Sequence, residues 1–468
     1  MASAGLQFDV LVVGGGISGL ACAHKLFQCG YSVALVEARW KLGGRTSSIK
    51  ISNGTSRGPP LRFNIGAAWI HCSNDNPLVP LIKKHNIPTK ENSGQVGMLD
   101  HLYFPNAPEL TSDERTAVEK IMQKLQIEFE SIQLDLQERG KDRSVADVLE
   151  QIFRHEEALS DQFHGNGRIS GTVRWLMSQL AQYEGSSLKN ISALHSSLEF
   201  GRDEVVEERQ GPDRIVLTYE ELINSMASQL PANSFFLNDP VISIDYQNHP
   251  IVRTQLGRLL QARRVVVTAP LGVLKSNKIQ FLPPLSARKQ TAIQRIGYGI
   301  MNKIVLHFED CFWDPDCHSF GIISEPVQFP YWLNQYRICG KPVLIGLYAG
   351  QFPLQIQEEG WSDERIRDTA LTTLANSFSI VLPGLVDWFI THWEKEEWIL
   401  GSYSYSHFLS STEDFDIVAE PVEGKIFFAG EHTNKEEHGY VHGAFSSGVS
   451  VATQIHELDT KTKPLARL

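Results

Sequence analysis

The chain has 468 residues, with 43 lysines and arginines against 54 aspartates and glutamates, for a formal net charge of −11 at pH 7. The 42% hydrophobic and 21% charged residues are typical of a folded globular protein, and the length favours two packed domains. This charge disfavours a nucleic-acid-binding surface, whereas an acidic protein attracts small cations.

The N-terminal segment has the pattern of a strand, a helix and a second strand. Residues 8–13 (FDVLVV) are a short apolar run typical of a buried parallel strand. Residues 20–29 follow as a helix that Gly30 closes as a C-cap, and residues 31–36 (YSVALV) form the next strand. We therefore predict a βαβ unit at the start of the chain.

Helical and strand patterns then follow in blocks. The sequence predicts helices over 113–137, 144–160, 172–182, 363–379 and 446–458. It predicts strands over 214–217, 235–245, 263–269, 299–308, 342–348 and 425–429. Nucleotide-fold signals stand at both ends and in the middle, so we predict one domain in three pieces and a second domain inserted between them. The first comprises 1–95, 210–290 and 400–468, and the second comprises 96–209 and 291–399.

A glycine-rich turn joins the first strand to the first helix. Gly14, Gly16 and Gly19 fit GxGxxG, in which the first glycine permits a tight turn, the second lets the backbone approach a pyrophosphate and the third lets helix pack on strand. Ser18 lies in the first helical turn, where free N–H groups and the helix dipole favour phosphates. Glu37 ends the second strand, where an acid accepts hydrogen bonds from a ribose and disfavours NADP. A glycine turn without ligand is the alternative.

Gly43-Gly44-Arg45 follows the second strand. This arrangement resembles the FAD proteins of the glutathione-reductase type, especially the amine oxidases. The resemblance implies that Gly44 runs close to the cofactor and that Arg45 meets its phosphate region, the alternative being a surface cation. It also implies an α/β fold with a Rossmann-like FAD-binding domain and an inserted α+β substrate-binding domain, with an NAD-linked dehydrogenase as the disfavoured alternative.

Two motifs near the C-terminus strengthen this resemblance. Residues 428–433 (FAGEHT) and 439–444 (GYVHGA) resemble the signature of the polyamine oxidases. The resemblance implies that Gly430 and Glu431 lie at the cofactor, with Glu431 accepting from a ribitol hydroxyl, and that backbone near Val441 meets the flavin. It places Trp393 near the flavin and Val241 among the cofactor contacts. Monoamine oxidases bond the flavin through a cysteine, but residues 398–406 (WILGSYSYS) contain none, so we expect noncovalent FAD.

Several polar and aromatic residues are candidates for the substrate site. In the polyamine oxidases, a lysine at the position of Lys303 holds a water near the flavin, a histidine at His71 faces the amine, and aromatics at Tyr403 and Tyr440 flank the substrate. From the pattern alone, Lys303 is a snorkelling lysine, His71 a surface histidine and Tyr440 a core aromatic. Glu184 and Trp69 complete the set. The resemblance implies that Glu184 binds a distal amine of the substrate, the alternative being a solvated surface acid. Trp69 lies in the segment that resembles the GA-x-WIH segment of the family.

The same segment departs from the family pattern at two positions. Cys72 stands where the family commonly has glycine, and Asn64 stands where it usually has an acid. The first departure bears on the shape of the pocket, and the second on structure more than on chemistry.

The resemblance implies an FAD-dependent polyamine oxidase. A secondary amine of spermine, spermidine or an acetylated polyamine loses a hydride to flavin, the imine is hydrolysed to an aldehyde and a shorter amine, and O₂ becomes H₂O₂. The alternatives are another flavin amine oxidase, acting on monoamines or methyl-lysine, and a flavoprotein that only binds. Ala466-Arg467-Leu468 has the pattern of a peroxisomal address, so we expect a peroxisomal import receptor as partner and peroxisomal localisation, or cytoplasmic localisation if the signal is not used.

The cysteines and the apolar segments disfavour a metal site, a disulfide-stabilised protein and a membrane or secreted protein. The six cysteines form no CxxC pair, so we expect no metal site, and free thiols rather than a disulfide scaffold. No segment approaches the roughly 20 apolar residues of a membrane span. The first apolar run, 10–13, is too short for a signal peptide, so we expect neither membrane nor leader.

Overall fold

The computed structural model describes residues 6–52, 54, 59–91, 99, 101–105, 109–198 and 213–462. The predicted peroxisomal address at 466–468 lies outside these residues.

A large twisted sheet carries the N-terminal unit. Its strands, in spatial order, are Gln280–Leu282, Val241–Asp245, Ile251–Thr254, Leu259–Val267, Leu6–Val13, Val33–Val36 and Phe235–Phe236, and Ile426–Phe428 also pairs with Leu259–Val267. The pairs around Leu6–Val13 and the pair with Ile426–Phe428 are parallel. The predicted N-terminal βαβ unit is confirmed, with its helix at Ile17–Gln28 and Gly30 at φ +84° just beyond the helix end.

Helices cover both faces of this sheet. Ile17–Gln28 and the C-terminal helix Val441–Thr462 pack against each other so closely that a Cβ on Gly448 would lie 2.2 Å from the Ser18 carbonyl oxygen. Tyr219–Ala227 joins them on one face. The other face is covered by the helices Leu271–Lys275, Ala287–Arg295 and Thr412–Ala419. Two apolar cores, one on each face, therefore hold the strand ends and the helix starts in fixed positions.

A second sheet is mostly antiparallel. Its strands, in spatial order, are Leu385–Ile390, Met301–Phe308, Val343–Ala349, Tyr331–Asn334, Ser319–Ile322 and Leu102–Tyr103. The helices Ser112–Arg139, Val145–His155, Glu157–His164, Arg168–Glu184, Tyr336–Cys339, Gln351–Glu358 and Asp363–Phe378 belong to the same part of the chain. Gly321 lies against Trp175 of the long helix Arg168–Glu184, so helix and sheet share a close interface.

Short pieces complete the described chain. Small sheets pair Ser48–Ile51 with Leu61–Asn64, Trp69–Ile70 and Thr89–Glu91 with Arg214–Val216, and Gly297–Tyr298 with Ser404–Tyr405. The remaining helical segments are Val79–Lys84, Ala232–Ser234 and Glu431–Thr433. Among the described residues, none of the helices combines the length and apolar character that a membrane span requires.

Two predicted elements are wrong as continuous segments. The strand expected over 235–245 is interrupted after Phe236 and resumes at Val241. The helix expected over 144–160 breaks at Glu156, whose φ of −120° and ψ of 78° are not helical, although the apolar periodicity continues past it. The other predicted helices and strands are present with ends shifted by a few residues.

The strands of the large sheet come from 1–95, 210–290 and 400–468, and those of the second sheet from 96–209 and 291–399. The helix Ala287–Arg295 runs across the predicted boundary between 290 and 291. The domain boundaries themselves stay a prediction.

Candidate active site

One cavity of about 1070 Å³ is lined by residues of both sheets. Gly14, Thr268 and Gly430 line it from the ends of parallel strands of the large sheet, and Lys303 and Leu347 line it from the second sheet. Ligands of open α/β sheets bind outside the carboxyl ends of the strands. The volume exceeds the usual range of small-molecule pockets, roughly 300–1,000 Å³, so the cavity has room for a dinucleotide and a second molecule.

The glycine-rich turn forms one end of this cavity. Gly14 has φ +112°, and a Cβ there would lie 2.6 Å from Thr268 Oγ1. A Cβ on Gly16 would meet nothing within 4 Å, so the backbone at Gly16 is open to the cavity that it lines. A Cβ on Gly19 would lie 2.0 Å from the Gly14 carbonyl oxygen, so Gly19 serves the packing of helix on strand. The exposed helix start offers N–H groups without intrahelical partners to a phosphate.

Glu37 lies beside this turn with its carboxylate held by the backbone. Its Oε2 accepts from the Gly15 N–H at 2.6 Å and its Oε1 accepts from the Arg39 N–H at 2.8 Å. Burial raises the pKa of Glu37 against these hydrogen bonds. Glu37 lines the cavity beside the glycine-rich turn, where a ribose hydroxyl would donate to its carboxylate.

The partly buried Arg45 and the buried Glu431 form an ion pair between the turn and the C-terminal motif. Arg45 Nη1 donates to Glu431 Oε1 at 2.7 Å and to the Ser402 carbonyl oxygen at 3.0 Å. Glu431 Oε2 accepts from the Gly439 N–H at 2.8 Å and from the Ser404 hydroxyl. Burial opposes ionisation, but Arg45 and these donors lower the pKa of Glu431 to about 2. The pair therefore joins two distant cofactor motifs with matched charges.

Lys303 lines the cavity from the second sheet. It lies on the strand Met301–Phe308, and its side chain is 4% exposed. Its Nζ donates to the Gly66 carbonyl oxygen at 2.6 Å and stands 3.4 Å from that of Asn64. It also lies 5.5 Å from the ring centroid of Trp69. Burial lowers the pKa of Lys303 to about 7, so its neutral amine is well populated near pH 7.

His71 and Tyr440 both line the cavity and contact each other. Their ring centroids are 5.2 Å apart in an edge-to-face arrangement, and Tyr440 stacks on His442 at 4.9 Å. His71 Nδ1 lies 2.7 Å from Asp213 Oδ2. The Cys72 N–H donates to Oδ1 of the same carboxylate at 3.2 Å.

Glu184 and Tyr403 lie on the wall near the end of the helix Arg168–Glu184. Burial raises the pKa of Glu184 to about 7, and no described side chain forms an ion pair with it. Tyr403 Oη donates to the Gln182 carbonyl oxygen at 3.0 Å, and Gly185 lies against the Tyr403 ring. The site thus holds an uncompensated carboxyl group beside aromatic faces, which suits a cation.

The cavity brings together most of the predicted site residues. Those that line it are Gly14, Gly16, Ser18, Glu37, Gly44, Arg45, Trp69, His71, Glu184, Lys303, Trp393, Tyr403, Gly430, Glu431, Tyr440 and Val441. Gly19 and Val241 do not line it, because Gly19 is enclosed by the turn and Val241 is buried in the strand that pairs with Ile251–Thr254. Their assigned roles, like those of the lining residues, stay predictions.

The sequence did not single out Thr268, Asp213 or His442, although all three line the cavity. Thr268 directly follows the strand Leu259–Val267, at the sheet edge that carries Gly14, and this position is a signal that could have found it. Asp213 belongs to no motif whose spacing requires a carboxylate there, whereas His442 lies within the 439–444 motif (GYVHGA), in which only Tyr440 and Val441 were assigned roles.

The chain belongs to the family of flavin containing amine oxidoreductases, whose model matches residues 17–456. It is 31% identical over 460 residues to polyamine oxidase 3 of Oryza sativa subsp. japonica, covering 95% of this chain and 88% of the rice protein. It is 29% identical to polyamine oxidase 2 of Arabidopsis thaliana, covering 95% and 87%. A triple mutant of putrescine oxidase superposes with a TM-score of 0.74 at 22% identity, covering 97% of this chain and 99% of that one.

These comparisons confirm the predicted fold class, a mixed α/β fold with a Rossmann-like FAD-binding domain and a second domain, and the predicted enzyme class, an FAD-dependent amine oxidoreductase. The cavity fits FAD on its own geometry. The open backbone at Gly16 and the helix start would take the pyrophosphate, and Glu37 would take a ribose. The start of the C-terminal helix at Val441 lines the same cavity and would offer N–H groups to the flavin end.

Proposed function

We propose that the chain oxidises a secondary amine of spermine, spermidine or an acetylated polyamine, and forms an aldehyde, a shorter amine and H₂O₂. The observation that carries this proposal is the continuity of one cavity from the phosphate turn at Gly16 to Lys303, with the carboxyl groups of Glu184 and Asp213 on its wall. The likeness to the plant polyamine oxidases supports the same substrate class.

The two carboxyl groups suit a linear chain with several positive charges. Burial raises the pKa of Glu184 to about 7, which disfavours the charged form, so neutral and charged forms are both populated near pH 7. An ammonium group beside it would favour that charged form and bind through a charge-assisted hydrogen bond. The ring faces of Tyr440 and Trp69 add attraction for a cation and contact for the methylene groups between the nitrogens.

Lys303 takes part as a neutral amine. Its two contacts to carbonyl oxygens hold the side chain in place, and the lone pair of the neutral form can accept a hydrogen bond from a water. The chemistry that FAD would supply when bound is acceptance of the hydride and transfer of both electrons to O₂, with release of H₂O₂. In this proposal the ring of Trp69 would help to exclude bulk water from the amine, and Lys303 would hold one water for imine hydrolysis.

Anaerobic titration of the yellow holoenzyme tests this function. We expect spermine, N1-acetylspermine or spermidine to bleach the flavin band, with benzylamine and a methyl-lysine peptide as comparison amines. Bleaching by benzylamine alone points to a monoamine oxidase, bleaching by the peptide alone to a demethylase, and no bleaching by any amine to a flavoprotein that only binds. Lys303→Met is expected to slow flavin reduction or reoxidation while FAD stays bound, and unchanged kinetics contradict its role.

We also propose that FAD is held without a covalent bond. The segment 398–406 contains no cysteine that could bond the flavin. Acid precipitation of the holoenzyme should therefore release all of the flavin into the supernatant. Flavin that stays in the pellet after washing contradicts the proposal.

Peroxisomal import is proposed from Ala466-Arg467-Leu468, which lies outside the described residues. A fluorescent fusion that keeps this C-terminus free should be punctate and coincide with a peroxisomal marker. Removal of the three residues should release it to the cytosol, and a distribution that does not change contradicts the address.

A further inference from the structure

The pairing of two short strands places Asp213 opposite His71. Trp69–Ile70 pairs antiparallel with Arg214–Val216, with Ile70 opposite Arg214. The next position in this register sets His71 opposite Asp213. Directly opposed side chains on antiparallel strands have Cβ atoms only about 4.5–5.5 Å apart, so the sheet itself brings the carboxylate to the imidazole.

Three hydrogen bonds fix the orientation of this pair. Asp213 Oδ2 lies 2.7 Å from His71 Nδ1, and Asp213 Oδ1 accepts from the Cys72 N–H at 3.2 Å. The side-chain amide of Asn76 donates to the His71 carbonyl oxygen at 2.9 Å. Both oxygens of the carboxylate and the backbone of the histidine are thereby held, which leaves the imidazole little freedom to rotate.

The carboxylate decides which ring nitrogen carries the proton. An ionised carboxylate only accepts hydrogen bonds, so the neutral imidazole must present Nδ1–H to it, and Nε2 then carries the lone pair. Nε2 of His71 makes no hydrogen bond to any other residue in the described part of the chain, and the ring lines the cavity. A hydrogen-bond acceptor is therefore free beside the place that the proposed function gives to the amine.

We propose that Asp213 is a positioning residue that makes His71 the acceptor of the proton that the substrate ammonium must lose. This inference rests on the proposed function. In this step the N–H bond of the ammonium breaks, the proton bonds to His71 Nε2, and the electron pair stays on the amine nitrogen, which is then neutral. The new imidazolium faces the Asp213 carboxylate, which stabilises its charge. Loss of hydride from the carbon beside nitrogen requires that free electron pair.

The other groups around His71 leave this role to Asp213. Burial lowers the pKa of His442 to about 4, so that ring is neutral near pH 7. Tyr440 contacts the His71 ring edge to face, and Trp69 stacks on it with ring centroids 6.5 Å apart. Neither aromatic ring carries a charge near pH 7. Asp213 is therefore the carboxylate that directly contacts the imidazole.

The test compares amines that differ in protonation. Wild-type holoenzyme and Asp213→Asn are reduced anaerobically at pH 7 with spermine or N1-acetylspermine, and with analogues that carry two fluorines on the carbon two bonds from the reacting nitrogen. Fluorine lowers the basicity of the amine, so the analogues arrive largely unprotonated. We expect Asp213→Asn to slow reduction about 100-fold with the ordinary amines and less than about fivefold with the analogues, because a positioned proton acceptor contributes at least about 100-fold. Equal slowing for both, or none, overturns the proposal.

A control variant and a spectroscopic measurement complete the test. Asp310→Asn makes the same change at an exposed position and should reduce as fast as wild type. In wild-type holoenzyme with ¹⁵N-labelled histidine, the His71 signals, assigned by their loss in His71→Gln, should show neutral imidazole protonated at Nδ1. Protonation at Nε2 overturns the proposal even if Asp213→Asn does not fold. Failure of the wild type to be reduced by any amine would instead contradict the proposed function.

Discussion

Replacing Lys303 with methionine should change how the stability of the protein depends on pH. Burial lowers the pKa of Lys303 from 10.5 to about 7. In the unfolded chain the amine regains its ordinary pKa, so between these values the unfolded state binds more protons and stability rises with pH. Within that window, the free energy of unfolding rises by about 1.4 kcal/mol for each pH unit. Because the native amine is half protonated near pH 7, Lys303 should raise the free energy of unfolding by roughly 2 kcal/mol between pH 7 and 9.

The assay is urea unfolding of the holoenzyme at pH 7, 8 and 9 with saturating FAD, followed by tryptophan fluorescence. Other groups that titrate in this range, such as Glu184 and Lys289, contribute to wild type and variant alike, so the difference between the two curves isolates Lys303. Lys50→Met removes an exposed strand lysine and should keep the wild-type pH dependence. Parallel curves for wild type and Lys303→Met would refute the argument that burial holds this amine neutral.

Substitutions at three further positions, with Gly167 as a control, test the packing that supports the site. Gly19→Ala places a Cβ 2.0 Å from a carbonyl oxygen of the phosphate turn, so we expect the protein to lose about 1–3 kcal/mol of stability and to lose bound flavin, measured by melting and by the ratio of flavin to protein absorbance. Gly167→Ala has open space at the N-cap of the helix Arg168–Glu184, so it should cost less than about 1 kcal/mol and leave bound flavin unchanged. Cys72 has φ +52°, so Cys72→Gly should change the unfolding free energy by less than about 1 kcal/mol and Cys72→Val should lower it by about 1–2 kcal/mol in urea unfolding. Lys289→Met removes three hydrogen bonds to carbonyl oxygens at and just after the end of the helix Thr412–Ala419 and should cost about 1–3 kcal/mol in the same assay, and an unchanged midpoint would contradict a capping role.

The phosphate turn could be predicted because its signals are local. Steric restrictions within one turn require glycine at positions 14, 16 and 19, and Glu37 directly follows the next strand. All four residues lie within a single βαβ unit. The structure shows why glycine is needed at these positions, because a Cβ on Gly14 or Gly19 would clash with neighbouring atoms and a Cβ on Gly16 would enter the cavity. The glycine that the family commonly has at position 72 also has a local reason, because the φ of +52° at Cys72 is a conformation that favours glycine.

Contacts between distant segments could not be predicted in the same way. The carboxylate of Asp213 reaches His71 through strands of two and three residues, which are too short to show any alternation of apolar residues. Arg45 and Glu431 were each expected at the cofactor, but their ion pair joins residues 386 positions apart and depends on how the two ends of the chain fold together. Pairing register and chain closure are properties of the whole fold, and no single window of sequence contains them.

The two buried lysines show why burial alone does not identify a functional residue. Lys289 is 3% exposed and Lys303 is 4% exposed, so the pattern of apolar neighbours cannot separate them. Lys289 donates to three carbonyl oxygens, at 2.5, 2.9 and 2.7 Å, around the C-terminus of a helix, where the dipole also favours a cation. Burial lowers its pKa to about 8, above the value of about 7 for Lys303, which has one short contact and one of 3.4 Å. Lys303 lines the cavity and Lys289 does not. The buried lysine with fewer hydrogen bonds to the protein is therefore the one that a substrate or a water can reach.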